Sequence, residues 1–383
     1  MEAAKGRELI LESDIVGAGV VGCGLARVLS RYDCRVTVLE KADDVAEGAS
    51  KANSGIVHAG FDAHPGTLKA RLNVEGAGMY PELCKELGVP YSRPGALVLG
   101  FSEDDRATLE TLVRQGEANG VPGVRLVERD EILKMEPHVN PEVVCALYAP
   151  TSGLTSPYEM TFALADHAAL NGVVFERGAE VTGAKREGGL WHVQTGKGEF
   201  TAKVLVNCAG VFSAKLHNMI SDTKLNIINR RGQYYLLDRV TPLPFTMTMF
   251  QCPTKMGKGV LVSPTVDGNI FAGPTAQDKV EKNDTQTTPE GLAELKKFSL
   301  KSVPTLNLRQ VITSFAGVRA QPSTGDFVIG VSGANRRLIQ AAGICSPGLT
   351  SAPAIAERID AILHETGLAG GQIAVVALLE IDA

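Results

Sequence analysis

Residues 15–22 read Ile15-Val16-Gly17-Ala18-Gly19-Val20-Val21-Gly22, and a second apolar run, Arg35-Val36-Thr37-Val38-Leu39, ends on Glu40. The order is strand, glycine turn, helix, second strand, carboxylate. Gly17 permits the tight turn, Gly19 lets a pyrophosphate approach the backbone, and Gly22 lets the helix lie close on the strand. The helix N-terminus offers free N–H groups and the positive end of its dipole to phosphates. Glu40 stands roughly twenty residues on, where a carboxylate accepts ribose hydroxyls. A glycine triplet alone is a weak signal. In register with the apolar strand and the acidic tip it predicts a dinucleotide site rather than an ordinary βα turn. Lys41 is a candidate for the adenosine end, against the plainer reading of a solvated lysine.

Glu12, Ser13 and Asp14 disturb this pattern. The first strand of such a unit is buried on both faces and is normally a continuous apolar run. A carboxylate inside it is costly unless paired. The expectation is that the strand starts late or that Asp14 sits at its mouth.

The chain has 383 residues, enough for two lobes. Its net charge of −5 argues against nucleic acid as a partner. Seven widely spaced cysteines without a CxxC pair point to free thiols in a reducing cytoplasm and to no metal site. Residues 1–8 are polar and charged, unlike a secretory segment, and no run is long enough to span a membrane. The apolar stretch 372–381 is expected to pack as a terminal helix or strand, with a foothold on a membrane surface as the alternative.

Helical patterning covers 69–87, 104–119, 157–171, 292–303 and about 350–363, and strand-like runs fall at 93–101, 173–175, 180–182, 191–193 and 203–210. From 232 to 273 the pattern is mostly β. This order predicts an α/β fold with a Rossmann-like nucleotide-binding domain assembled from 1–87, 151–224 and 316–383. Residues 88–150 and 225–315 would form a discontinuous, β-rich α+β second domain for substrate.

The opening unit does not choose between nicotinamide and flavin. The run Val204-Leu205-Val206-Asn207-Cys208-Ala209-Gly210 resembles the second nucleotide-contact strand of two-dinucleotide-binding-domain flavoproteins, with Ala209 and Gly210 letting the backbone approach the cofactor. Ser346-Pro347-Gly348-Leu349-Thr350 resembles that superfamily's last flavin-contact element. There, a helix N-terminus would face the pyrimidine end of the ring, which becomes anionic on reduction. Together with Ala52-Asn53-Ser54-Gly55-Ile56-Val57-His58-Ala59-Gly60, Arg230-Arg231-Gly232-Gln233-Tyr234, Gly257-Lys258-Gly259 and Ser314-Phe315-Ala316-Gly317-Val318-Arg319, these segments resemble the D-amino-acid-oxidase-like flavoproteins. More narrowly they resemble the short, type II glycerol-3-phosphate oxidases and their dehydrogenase relatives. L-2-Hydroxyglutarate oxidases are similar too, sharing the histidine loop and Pro65-Gly66-Thr67-Leu68-Lys69-Ala70.

The resemblance implies FAD as cofactor and oxidation of a secondary alcohol, with oxygen, a quinone or a partner protein reoxidising the flavin. It implies His58 as the base, with Arg319 and Lys258 holding the substrate phosphate and Ser346 bonding substrate or flavin. A turn or cap role is the plainer account of Ser346. Gly17, Gly19, Gly22, Glu40, Lys41, Ser50, Asn53, Ser54, Val181, Ala209, Gly210, Gly317, Gly348, Leu349 and Thr350 would contact the cofactor. Arg231 and Tyr234 are weaker candidates, explained adequately as a strand-edge arginine and a core tyrosine. A 2-hydroxy acid is the alternative substrate, an amine a third, and a nucleotide-binding protein without turnover the reading from another class.

Overall fold

The computed structural model describes residues 12–253, 259–333 and 335–367. Among these, six strands form one sheet in the order Val328–Val331, Leu338–Ala342, Val204–Asn207, Glu12–Val16, Arg35–Leu39, Val174–Glu176. The neighbours run parallel except for the edge pair Val328–Val331 and Leu338–Ala342. Every residue of the helix Val20–Leu29 is buried. Its Val, Ala, Gly and Leu side chains are small enough for close contact on all sides, and the helices Pro157–Leu170 and Gly348–Glu365 cover it away from the sheet. The opposite face of the sheet carries a three-stranded meander, Val181–Glu187, Leu190–Thr195 and Gly198–Ala202. Its Trp191 and Val193 pack on Leu205 and Leu338.

The first strand corrects the expectation for Asp14. It already includes Glu12, and Asp14 sits in its middle, between Leu205 on one neighbour and Thr37 on the other. Asp14 is 3% exposed. Its Oδ2 and the hydroxyl of Ser13 have no hydrogen-bond partner. Burial pushes the Asp14 carboxyl up to about 6, with Arg35 and Thr37 opposing and Glu12 assisting. The apolar pattern is broken here because the strand tolerates a cost, not because it stops.

Nine strands form the second sheet. Its longest members, Ile227–Leu237 and Val311–Pro322, pair antiparallel along nearly their whole lengths. The boundary expected between 315 and 316 falls inside that second strand. Side chains alternate across the sheet. Gln233 accepts from the Thr288 N–H at 2.7 Å, and the Tyr235 hydroxyl donates to the Leu292 carbonyl at 3.1 Å. Both bonds reach the start of the helix Pro289–Ser302, which covers that face. The other face is left for Arg230, Gly232 and Tyr234. A small sheet of Ile56–Val57, Gly153–Thr155 and Tyr91–Ser92 lies between the two systems and delivers the chain to His58.

The seven cysteines are all free. Among the described residues no helix is long and apolar enough to cross a membrane. The stretch 372–381 lies outside the described residues.

Asp14 generates a prediction about stability. Its folded-state pKa stands above the unfolded value, so the folded protein holds a proton that the unfolded chain releases. Stability therefore falls as pH rises from about 4 to about 6, and the penalty persists above that. Asp14→Val should stabilise the protein at pH 8 by about 1–3 kcal/mol and have little effect at pH 4. Chemical denaturation of both proteins at the two pH values checks it. An equal effect at both would remove ionisation as the cause.

Candidate active site

The Val311–Pro322 strand touches the nucleotide-binding part at a place where only glycine fits. A Cβ on Gly317 would stand 2.4 Å from the carbonyl oxygen of Ala52. Around this contact opens a cavity of about 1080 Å³, just above the usual range for ligand sites, roughly 300–1,000 Å³.

One end of the cavity is built by the glycine turn. Gly17 has φ +109°, and a Cβ there would meet the Cys208 carbonyl oxygen at 2.6 Å. Gly22 does not line the cavity: its Cα packs on Gly17, whose oxygen a Cβ would meet at 1.9 Å. Gly19 starts the helix, and the Val20 N–H donates to Ser50 Oγ at 2.9 Å. Ser50 thus brings a hydroxyl to the helix N-terminus from the following loop. Glu40 accepts from the Ala18 and Ala42 N–H groups, each at 2.8 Å, so its carboxylate is fixed at the cavity wall. Lys41 lies 3.8 Å above the centroid of the Phe212 ring, a cation–π contact. Val181, Ala209 and Gly210 complete this end.

Asn53 and Ser54 line the cavity from the loop. The Asn53 side chain is engaged within that loop, donating to Ser50 O at 2.9 Å and accepting from the Gly55 N–H at 2.9 Å. Gly348 and Leu349, in the first turn of the helix Gly348–Glu365, line the far end. Thr350 departs from the expectation of a cofactor contact. It is fully buried, does not line the cavity, and accepts the His58 N–H at 2.9 Å.

His58 and Ser346 meet at this end, with 3.5 Å between Nε2 and Oγ. The imidazole tilts over Phe250 at 5.8 Å between centroids. Arg319 enters from the large sheet. Its Nη2 donates to the Thr275 carbonyl at 2.9 Å, and its Nε is buried without a partner. Lys258 lies outside the described residues. Arg231 is not at a strand edge: it is 4% exposed, points away from the cavity, and pairs with Asp284 at 2.6 Å. Arg230 lines the cavity in its place, held by Asp278 with 2.8 Å between Nη2 and Oδ2. Tyr234 also lines it. Burial raises its phenol above the ordinary value, and the nearby Arg319 cation opposes the shift. The period of two along Ile227–Leu237 was the signal that separates Arg230 from Arg231.

A turn closed to any Cβ, a helix N-terminus behind it, an anchored carboxylate and a second helix end across the cavity fit an elongated dinucleotide with a ring at its far end. The profile of the FAD dependent oxidoreductase family matches residues 15–361. The chain belongs to this family.

Among relatives of this oxidoreductase, a glycerol 3-phosphate dehydrogenase of Caloramator mitchellensis is 46% identical over 91% of this chain and 73% of its own. A glycerol 3-phosphate oxidase of Mycoplasma pneumoniae is 36% identical over 91% of this chain and 94% of its own. The solved structure of dithionite-reduced L-alpha-glycerophosphate oxidase from Mycoplasma pneumoniae with FAD bound superposes with a TM-score of 0.89. It is 35% identical and covers 94% of this chain and 95% of its own. The human mitochondrial L-2-hydroxyglutarate dehydrogenase is 28% identical over 90% of this chain and 87% of its own.

Gly17→Ala tests the cofactor end. Its Cβ meets a backbone oxygen and its φ is strained, together costing about 1–3 kcal/mol. The variant should purify with much less bound flavin, read from visible absorbance per protein. A parental ratio would remove this turn from the cofactor site.

Proposed function

We propose that the protein oxidises sn-glycerol 3-phosphate to dihydroxyacetone phosphate. The observation that carries this reading is that His58 and Arg319, from different sheets, reach the same cavity. The relatives named glycerol 3-phosphate dehydrogenase and oxidase support it.

FAD held in this cavity would supply the acceptor for the hydride that leaves the carbinol carbon. His58 accepts the hydroxyl proton on a ring nitrogen. Ser346 Oγ stands on the Nε2 side of that ring and orients the exchanging proton. Arg319 grips the phosphate. One arm of its guanidinium is tied to the Thr275 carbonyl, which fixes the plane of the fork and leaves other donors for an oxyanion. Lys258 adds a point charge for the same group. The electrons pass on to oxygen, which is then reduced to hydrogen peroxide, or to a quinone or partner protein. The cofactor contacts are those that line the cavity, from Gly17 to Leu349, and the cytoplasm suits the seven free thiols.

Anaerobic mixing of the FAD-loaded protein with glycerol 3-phosphate should bleach the flavin, and L-2-hydroxyglutarate should not. Faster bleaching by the hydroxy acid would reverse the substrate assignment. Admitting air then reports the acceptor.

Variants separate the two roles. Arg319→Met should raise KM about ten- to a hundred-fold, the loss of a charge-assisted hydrogen bond worth about 1.5–3 kcal/mol. His58→Asn should slow flavin reduction by about 10²–10⁴-fold with substrate affinity largely kept. Lys258→Met should act in the same direction as Arg319→Met. Parental kinetics in His58→Asn would reject it as the base.

A further inference from the structure

The geometry points to Thr350 and Asn73 as positioning residues that hold His58 by its main chain. The inference rests on the role proposed above for His58.

His58 lies just beyond the end of the two-residue strand Ile56–Val57, whose last ladder partner is Gly153 opposite Val57. The ladder therefore stops before His58. Two side chains take over. Thr350 Oγ1 accepts the His58 N–H at 2.9 Å and donates its own proton to the Ile56 carbonyl at 3.3 Å. Asn73 Nδ2 donates to the His58 carbonyl at 2.6 Å. The peptide groups on both sides of the imidazole are thus fixed by side chains from two different helices, Leu68–Glu86 and Gly348–Glu365.

Neither side chain serves the cavity directly, because neither lines it. Thr350 is fully buried and Asn73 is 3% exposed. Asparagine is a poor helix former, and a buried amide without a partner costs about 1–3 kcal/mol. Packing alone would be better served by an apolar residue at either position. The bonds to the residue 58 backbone account for both polar choices.

The two holders sit on helices in close contact. A Cβ on Gly76 would stand 2.1 Å from the Thr350 carbonyl oxygen, so the helices touch backbone to backbone beside the clamp. Thr350 also follows Gly348 and Leu349, which line the cavity. The same first turn that faces the cofactor end therefore sets the position of the base. A displacement of about 1 Å at a reacting group costs up to roughly a hundred-fold in rate.

The test compares Thr350→Val, which keeps the shape and removes the hydroxyl, with Thr350→Ser, which keeps the hydroxyl. Asn73→Ala probes the other bond from a different helix. Each FAD-loaded protein is mixed anaerobically with glycerol 3-phosphate over a concentration series, and flavin content and melting temperature are recorded alongside. Thr350→Val and Asn73→Ala should each slow the limiting rate of flavin reduction by about ten-fold or more, within the range for small misplacements. Apparent substrate affinity should stay within about two-fold, since Arg319 belongs to the other sheet. Thr350→Ser should stay within about three-fold of the parent in rate, and the Thr350→Val/Asn73→Ala pair should lose less than the product of the single losses, as groups acting on one target do.

Parental rates in Thr350→Val and Asn73→Ala overturn the clamp. So does an equal loss of rate and affinity, or a loss of flavin with a parental rate in the loaded fraction. If Thr350→Val fails to load flavin, Asn73→Ala decides alone. Slow reduction in His58→Asn with parental rates in both clamp variants rejects only the clamp. A parental His58→Asn rejects the base assignment itself.

Discussion

Two stretches of backbone that carry no side chain between them set the rest of the site. Gly317 lies under the Ala52 carbonyl with no room for a Cβ, and Gly232 sits opposite Gly317 in the ladder. Gly317 is a notch in the large sheet into which the loop of the nucleotide-binding part descends, while the space over Gly232 is taken by Pro274 and the Arg319 guanidinium. On one side of the notch Tyr234 and Phe315 stack at 4.9 Å between centroids. On the other stand Arg230 and Arg319, paired in the same ladder. An apolar wall and a cationic wall are thereby aligned along one face, with spacing set by the two-residue period of the strands. A larger residue at position 317 would run into the Ala52 carbonyl and force the sheet and the loop apart.

Charge compensation is uneven across this face. Arg230 and Arg231 are neighbours in sequence and point to opposite sides of the sheet, each toward its own aspartate, Asp278 and Asp284. Arg319 has a backbone carbonyl where the others have a carboxylate. Two like charges directly opposite in a ladder repel, and Asp278 relieves that repulsion from the Arg230 side. A neutral dipole holds the geometry of Arg319 without cancelling its charge, as the proposed grip on an anion requires.

Much of the architecture was legible because the deciding signals are local. The turn at Gly17, the helix after it and the carboxylate at Glu40 lie within one short segment, and each constrains the next. Longer-range features were harder to read. Asp14 broke the apolar pattern of a strand that nevertheless continues through it, since burial of one carboxylate is tolerated by the surrounding packing. The strand Val311–Pro322 passes through Ser314, Gly317 and Arg319, and its alternation faces a cavity instead of solvent, so it lacks the usual apolar and polar contrast. Arg231 reads as a strand-edge arginine, whereas register turns it away from the cavity and turns its neighbour Arg230 in. The segment ending on Thr350 resembles a flavin-contact element, yet the Thr350 side chain turns inward. Asn73, among Lys69, Arg71 and Glu75, reads as part of a solvated face. Only the packing of helix on helix reveals where it points.

The residues that would accept a proton and those that would grip an anion are carried by separate sheets. His58 follows a strand of the small three-stranded sheet and meets Ser346, which precedes the helix Gly348–Glu365, whereas Arg319 belongs to the large nine-stranded sheet. Drift in the strands that carry the arginines can redraw the shape and charge of the recognised group while leaving the reacting end intact. Such a scaffold explores new specificities in small steps, because altered recognition does not first require loss of the chemistry.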